Sequence, residues 1–468
     1  MEEILTTDYA AQVVSKVNTN LDSEVISTDD TAAEAVVALN TAFDGISGAE
    51  TLSANDTATD FVESLNTNCQ AFEDAEDEGE LGTLTFLHFS DTHGTTTASA
   101  KAKQLVADDN EGIDYVFVTG DIPAYGKNIG QTSQTLQDDF GAIGDKFLMC
   151  VGNHDVYDYY NKNGQQYATT FAKGILGNRV TWGDQSGVAS YWHKDIMLSA
   201  SRKLRIITLD QYELTVLNRY PGNYEYFTEY SQAQINWFMD RLTELNAGDY
   251  LIVAMHEASV QSPSVPDPYA VGLIDNNDPM KLFVSERLQE FGNRMANGSA
   301  REPQLSLFPR IMQAYLHKES LSLNYNNYGR SSSGYDITIN KDFSAGHPAT
   351  FLFWLCGHMH CDIVTYLPDE TNLNYNGEAG DDWSDQLLLD IAAADQYVNW
   401  ASEDDLGGMV NNVIPSDAPS NDYTYRINKV ELDFDNKTIT VTRIGACNTV
   451  GGRVRDEIEF PFVKPQNS

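Results

Sequence analysis

The sequence predicts an α/β core of buried, largely parallel strands behind a small all-helical segment, and three observations predict it. Apolar runs of strand length recur from residue 83 onward, with segments of helical periodicity between several of them. The first 72 residues instead carry a gapless repeat of helical pattern. Between the two textures stands Glu73–Glu80, EDAEDEGE, whose self-repulsion suits a linker. The expected organisation is a helical arm over residues 1–72, an acidic linker over 73–81 and a main domain over 82–468.

The arm shows one unit in three copies. Asp8-Tyr-Ala, Val14 and Val17-Asn-Thr align with Asp30-Thr-Ala, Val36 and Leu39-Asn-Thr. Both align with Asp56-Thr-Ala, Val62 and Leu65-Asn-Thr, at offsets of 22 and 26 residues. The apolar positions form a helical stripe, and the leading Asp suits an N-cap. Each helix is too short to stand alone, so its stripe must pack on something. A small helical bundle or spacer satisfies that need. So does an oligomerisation or docking arm, which would make a second copy or a larger assembly the partner of residues 1–72.

In the main domain, strand-like runs fall at Thr83–Phe89, Tyr115–Thr119, Phe147–Val151, Leu204–Leu209, Tyr250–Met255, Thr350–Cys356 and Gln386–Ile391. Helical patterns span Ala98–Ala107 and Ser231–Leu245, the second opened by Ser231 and Gln234 at capping-box spacing. Arg426–Phe434 and Thr438–Ile444 alternate at period two around Asp435-Asn436-Lys437, a hairpin that closes the domain. Residues 157–202 and 258–349 are rich in Tyr, Asn, Ser and Gly and read as long loops that shape substrate access.

Acidic residues outnumber basic ones 69 to 29, a formal charge of −40. Such a field argues against nucleic acid polymers and anionic membranes as partners, and leaves metal cations as natural counter-charges. Met1–Asn20 shows no secretory h-region, and no apolar run reaches the ~18–20 residues of a membrane span. The cysteines Cys69, Cys150, Cys356, Cys361 and Cys447 show no disulfide framework.

Five polar clusters each follow a strand-like run: Asp91-Thr-His93, Gly120-Asp121, Gly152-Asn153-His154-Asp155, His256 and Gly357-His358-Met-His360. In α/β sheets, ligand sites form at the carboxyl ends of strands, so the clusters are expected to converge on one rim. Carboxylate, carboxamide and imidazole donors suit Mn, Fe, Zn or Ni better than Mg or Ca. Asp91 and His93 project to one side of an extended segment, as do His358 and His360. Asp121 can bridge ions ~3.5–4 Å apart.

From about Thr83 to about residue 450, this ordered motif set resembles the calcineurin-like metallophosphoesterases. The resemblance implies a sandwich of two mixed β-sheets flanked by helices. It also implies a phosphate-ester substrate, hydrolysed as diester or monoester by a hydroxide bridging two divalent metal ions. Asp91, His93 and His360 would hold the first ion, and Asn153, His256 and His358 the second, with Asp121 shared. His154 would give a proton to the leaving oxygen, and Asp155 would orient its ring.

Departures narrow the resemblance. Ile122-Pro-Ala-Tyr-Gly follows Asp121 where protein Ser/Thr phosphatases have Asp-Arg-Gly, and GNHD stands where they have GNHE. Tyr125 lies four residues past Asp121, which breaks the purple acid phosphatase spacing. The pattern is nearest to phosphodiesterase-like and generic phosphohydrolase members. Tyr125, Asp210 and Tyr212 are candidate pocket residues. His88 reads as a strand-core residue, whereas His193, His317 and His347 read as surface residues. Arg453 and Arg455 read as part of a solvated hairpin.

A second class of function is structural or adhesive. The repeat units with their Asn-Thr endings are similar to segments of bacteriophage virion and tail-appendage proteins. On that reading the phosphoesterase domain is a tethered, host-surface-directed or inactive module, and the chain belongs to a virion. The two readings can coexist, and the sequence leaves the compartment open between cytoplasm and virion.

Overall fold

The structure is a computed structural model. It describes residues 39–40, 81–108, 112–124, 127, 129–156, 164–184, 189–213, 218–220, 223–225, 230–256, 302–328, 335–357, 363–366, 386–390, 425–445, 449–450, 453–454 and 457–463. The expected arm and linker lie outside these residues apart from Leu39, Asn40 and Leu81. Leu39 and Asn40 are helical, and Leu39, on the apolar stripe of the repeat, is buried.

Two sheets form the core. In the first, β1 (Thr83–Phe89), β2 (Tyr115–Val118) and β3 (Phe147–Met149) run parallel. β15 (Arg426–Asp433) pairs antiparallel with β1, and β16 (Thr438–Gly445) and β19 (Glu457–Pro461) follow antiparallel. The expected tail hairpin therefore forms and inserts beside the first strand. Helix α1 (Thr97–Asp108) links β1 to β2, and α2 (Gln134–Ile143) links β2 to β3.

A four-residue helix, α3 (Asn153–Val156), follows β3. The second sheet has a parallel centre of β6 (Lys203–Thr208), β9 (Tyr250–Ala254), β12 (Thr350–Cys356) and β14 (Leu387–Asp390). Its antiparallel flanks are β13 (Ile363–Tyr366) on one side, and β5 (Trp192–Met197) with β4 (Thr181–Trp182) on the other. Separate ribbons pair β7 (Asn218–Tyr220) with β8 (Asn223–Glu225), β10 (Ser320–Tyr328) with β11 (Tyr335–Asp342), and β17 (Thr449–Val450) with β18 (Arg453–Val454). This is the expected α/β architecture of mixed sheets flanked by helices.

The sheets face each other. Phe86 on β1 meets Phe353 on β12 at 6.3 Å between ring centroids, and Phe117 on β2 stacks on Trp192 of β5 at 6.1 Å. The Trp192 indole N–H donates across the gap to the Met149 carbonyl at 3.1 Å. Along β9, Tyr250, Ile252 and Ala254 enter this shared core. Leu251 and Val253 enter a second core with α5 (Gln232–Thr243) and α6 (Glu302–Leu316). Both faces are buried, which is why the run reads as continuously apolar. On β12 the pairing with β9 slips between Phe351 and Phe353, so Leu352 and Phe353 both face the shared core.

Two sequence expectations differ from the structure. Residues 157–202, read as a loop, hold α4 (Gly164–Leu176), β4 and β5, and residues 258–349 hold α6 and the β10–β11 hairpin. The buried stripe of α4 includes the small Ala168 and Ala172, which gives a faint periodic signal. His193, read as a surface residue, is 7% exposed on β5 against Trp237. His317 and His347 are exposed, as expected. Among the described residues no helix is long and apolar enough to cross a membrane.

Candidate metal centre

Every described polar cluster sits just past a strand end. Asp91 and His93 follow β1, Asp121 follows β2, Asn153–Asp155 form α3 after β3, and His256 follows β9. The loops are laced to one another. The Asp91 N–H donates to Gly120 O (3.0 Å), His93 N–H to Asp121 O (3.0 Å), and Gly357 N–H to His256 O (2.9 Å). The turns are sharp, with φ of 54°, 46° and 54° at Asp91, His93 and Asp121. That left-handed region costs a residue with a Cβ about 1 kcal/mol, and such strain collects at functional sites. A Cβ on Gly120 would come within 2.5 Å of the Gly152 amide and 2.9 Å of His256 Nδ1, so only glycine lets these loops approach.

Asp121 is the hub. Its Oδ2 lies 3.2 Å from His256 Nε2 and 3.8 Å from His154 Nε2, and its Oδ1 accepts the His154 N–H at 2.7 Å. Two sets of potential ligand atoms share it: His93, Asp121 and His154, and Asp91, Asp121 and His256, each set within 4.8 Å. Burial pushes the Asp121 carboxyl up, but the imidazoles of His256, His154 and His93 outweigh it and hold the group well below the usual carboxylate range.

His256 tests whether a cation fits. Its Nδ1 lies 2.6 Å from the Thr119 carbonyl, which can only accept, so that nitrogen carries the proton. Its Nε2 then offers a lone pair, yet it faces Asp121 Oδ2 at 3.2 Å and Asn153 Oδ1 at 3.0 Å. Three electron-rich atoms converge in a buried place, and a positive charge among them reconciles all three. Where that charge is a proton, burial opposes it but the Asp121 carboxylate raises the ring pKa to about 10. Divalent metal ions are the other candidates, and imidazole, carboxylate and carboxamide donors suit them.

Asp91 falls with His256 as well as near His93, whose Nε2 is 3.9 Å from Asp91 Oδ1. The structure differs from expectation in one role. Asp155 does not orient the His154 ring. Its carboxylate accepts three main-chain N–H groups, from Asp121 (3.0 Å), Ile122 (3.0 Å) and Gly152 (2.6 Å), which ties the β2 loop to the β3 loop. Burial and the Asp121 charge push Asp155 up to about 7, against the pull of those amides. The His154 imidazole instead packs edge-on against His93 at 4.7 Å.

His358, His360 and Tyr125 lie outside the described residues, as do Cys361 and Arg455. Asp210 and Tyr212 are buried, and the Tyr212 ring stands 6.5 Å from that of His256. Thr119 was not among the expected site residues. A main-chain acceptor leaves no mark in a sequence, and only its place one residue before the Gly120-Asp121 pair hinted at it.

Residues 84–285 match the family model described as calcineurin-like phosphoesterase. No curated protein matches the chain. Among solved structures, GAP50, the anchor in the inner membrane complex of Plasmodium, is similar at 12% identity and a TM-score of 0.37, over 82% of this chain and 90% of that one. A conserved Streptococcus pneumoniae protein, a predicted phosphoesterase, is similar at 9% identity and a TM-score of 0.25, over 81% of this chain and 98% of that one. A candidate 5′-nucleotidase of Staphylococcus aureus is similar at 10% identity and a TM-score of 0.36, over 82% of this chain and 55% of that one.

Proposed function

We propose, from the phosphoesterase family model that residues 84–285 match, that this chain is a metal-dependent phosphoesterase. The observation that carries the reading is the Asp121 carboxylate, shared by two sets of potential ligand atoms, of which the set with Asp91 and His256 is buried throughout. Asp91, His93, Asp121, Asn153 and His256 would hold two divalent ions together with His358 and His360. Bound there, such ions polarise a phosphoryl oxygen and lower the pKa of a coordinated water.

The chain's own residues do the rest. Asp155 locks the β2 and β3 loops together, so that Asp121 and Asn153 keep their spacing. His154 is the least buried of the three imidazoles near Asp121, with its side chain 13% exposed. It is the one placed to meet substrate and to give a proton to the leaving oxygen. The likeness of the motif set to phosphodiesterase-like members favours a phosphodiester substrate over a monoester.

The test uses bis-(p-nitrophenyl) phosphate and p-nitrophenyl phosphate with protein stripped of metal and reloaded with Mn²⁺. Asp121→Asn should lower turnover on the order of 10²–10³-fold, the scale of losing one preorganised electrostatic group. His154→Ala should lower kcat and should weaken Mn²⁺ binding less than His256→Ala does. Undiminished turnover in Asp121→Asn would reject the proposal.

A further inference from the structure

Behind the donor set, two buried polar side chains meet where no ligand is needed. His88 lies within β1, wholly buried, with apolar Leu87 and Phe89 as neighbours. Its Nε2 is 2.9 Å from the hydroxyl of Thr119. An imidazole buried there loses its hydration, a cost that an apolar residue would avoid. Nothing in the proposed chemistry uses it.

We infer that His88 and Thr119 form a positioning pair that holds His256 in its cation-binding orientation, an inference that rests on the metal-site reading above. All three polar groups of Thr119 are engaged. Its N–H donates to Phe89 O at 3.2 Å, its carbonyl accepts from His256 Nδ1 at 2.6 Å, and its hydroxyl meets His88. The carbonyl bond selects the His256 tautomer and aims Nε2 at Asp121 and Asn153.

That carbonyl belongs to the peptide joining Thr119 to Gly120, whose φ is 96°. Glycine resists rotation of this peptide less than any other residue. The N–H bond to Phe89 holds Thr119 from the main chain, and the His88 bond holds it from the side chain. With both in place Thr119 is anchored on two sides, which restricts how far its carbonyl can turn from the imidazole. His88 and Thr119 are thus positioning residues and touch no substrate.

The test measures Mn²⁺ affinity by calorimetry on metal-stripped protein, with melting curves to show that each variant is folded. Thr119→Val keeps the shape and removes the hydroxyl, Thr119→Ser restores it, and His88→Leu removes the partner. The expected result is Mn²⁺ binding about 10-fold weaker in Thr119→Val and in His88→Leu, the lower end of losses seen for groups that orient metal ligands. Thr119→Ser should bind close to wild type, and the double variant His88→Leu/Thr119→Val should be no weaker than either single change.

A readout without metal is the ¹⁵N spectrum of the His256 ring. It should show an Nδ1–H held in one strong hydrogen bond in wild type and a weakened, exchange-broadened Nδ1–H in Thr119→Val. Wild-type affinity in Thr119→Val and His88→Leu, or equal weakening by Ser and Val at position 119, would overturn the inference. His256→Ala separates the two levels. If it loses Mn²⁺ binding while the pair variants do not, the positioning role alone is wrong; if it binds as wild type does, the metal reading falls as well.

Discussion

A neutral imidazole tied through one nitrogen to a carbonyl offers a lone pair at the other. His256 is such a ring, and the oxygens that face it explain why the neighbourhood demands positive charge. His193 shows the opposite case. Burial, with the Arg205 charge nearby, lowers its pKa from 6.5 to about 4, so the folded protein keeps it neutral. Because the folded pKa lies below the unfolded one, its contribution to stability is present above pH 6.5. It is lost progressively as pH falls toward about 4. His193→Phe should therefore flatten the fall of the urea midpoint across that window, while leaving the midpoint at pH 8 little changed. A variant whose midpoint fell as steeply as wild type would contradict the neutral, buried assignment.

At the scale of elements, α5 illustrates how local rules are kept by substitute partners. Ser231 caps it as expected, accepting the Gln234 N–H at 3.0 Å, but Gln234 does not close the box. Its amide turns instead to the Asp210 main chain, and the Glu213 carboxylate takes the Ser231 N–H at 3.0 Å. Ser231→Ala should cost about 1 kcal/mol in chemical denaturation, typical of a lost cap. No loss would show that the cap carries no weight.

The strands were legible because runs such as Tyr250–Met255 are apolar on both faces. Asp91, Asp121, Asn153 and His256 were legible because each follows such a run. Other features were harder to read. The period-two pattern Ser320-Leu-Ser-Leu323 of β10 was present, but it was masked by the polar texture around it. The clamp made by Asp155 depends on two loops meeting across more than 30 residues of sequence, a contact that no local pattern encodes.

For the whole molecule, the described donors come from both sheets: Asp91, His93, Asp121 and Asn153 from the first, and His256 from the second. The set exists only when the sheets are stacked, so a cation held by it, as proposed, would bind the native state and not the unfolded chain. Mass action then adds about 2.7 kcal/mol of stability at a free concentration 100 times the Kd. Mn²⁺ should raise the melting temperature of wild type and EDTA should reverse it. Asp121→Asn should show a much smaller rise. The net charge of −40 makes a control at matched ionic strength with Na⁺ essential, since any salt relieves repulsion among like charges. Equal rises with Mn²⁺ and Na⁺ would sink the prediction.

The slip in β12 carries a consequence for tolerance to length change. One residue between Phe351 and Phe353 has no opposite number on β9, and the ladder beyond it is regular up to the point where Gly357 meets the His256 carbonyl. Strand β12 therefore holds a spare link. Excising Leu352 should draw the pairing straight and still deliver Gly357 to its station, with Mn²⁺ binding retained. Excising Leu355 should throw everything downstream out of phase and end binding.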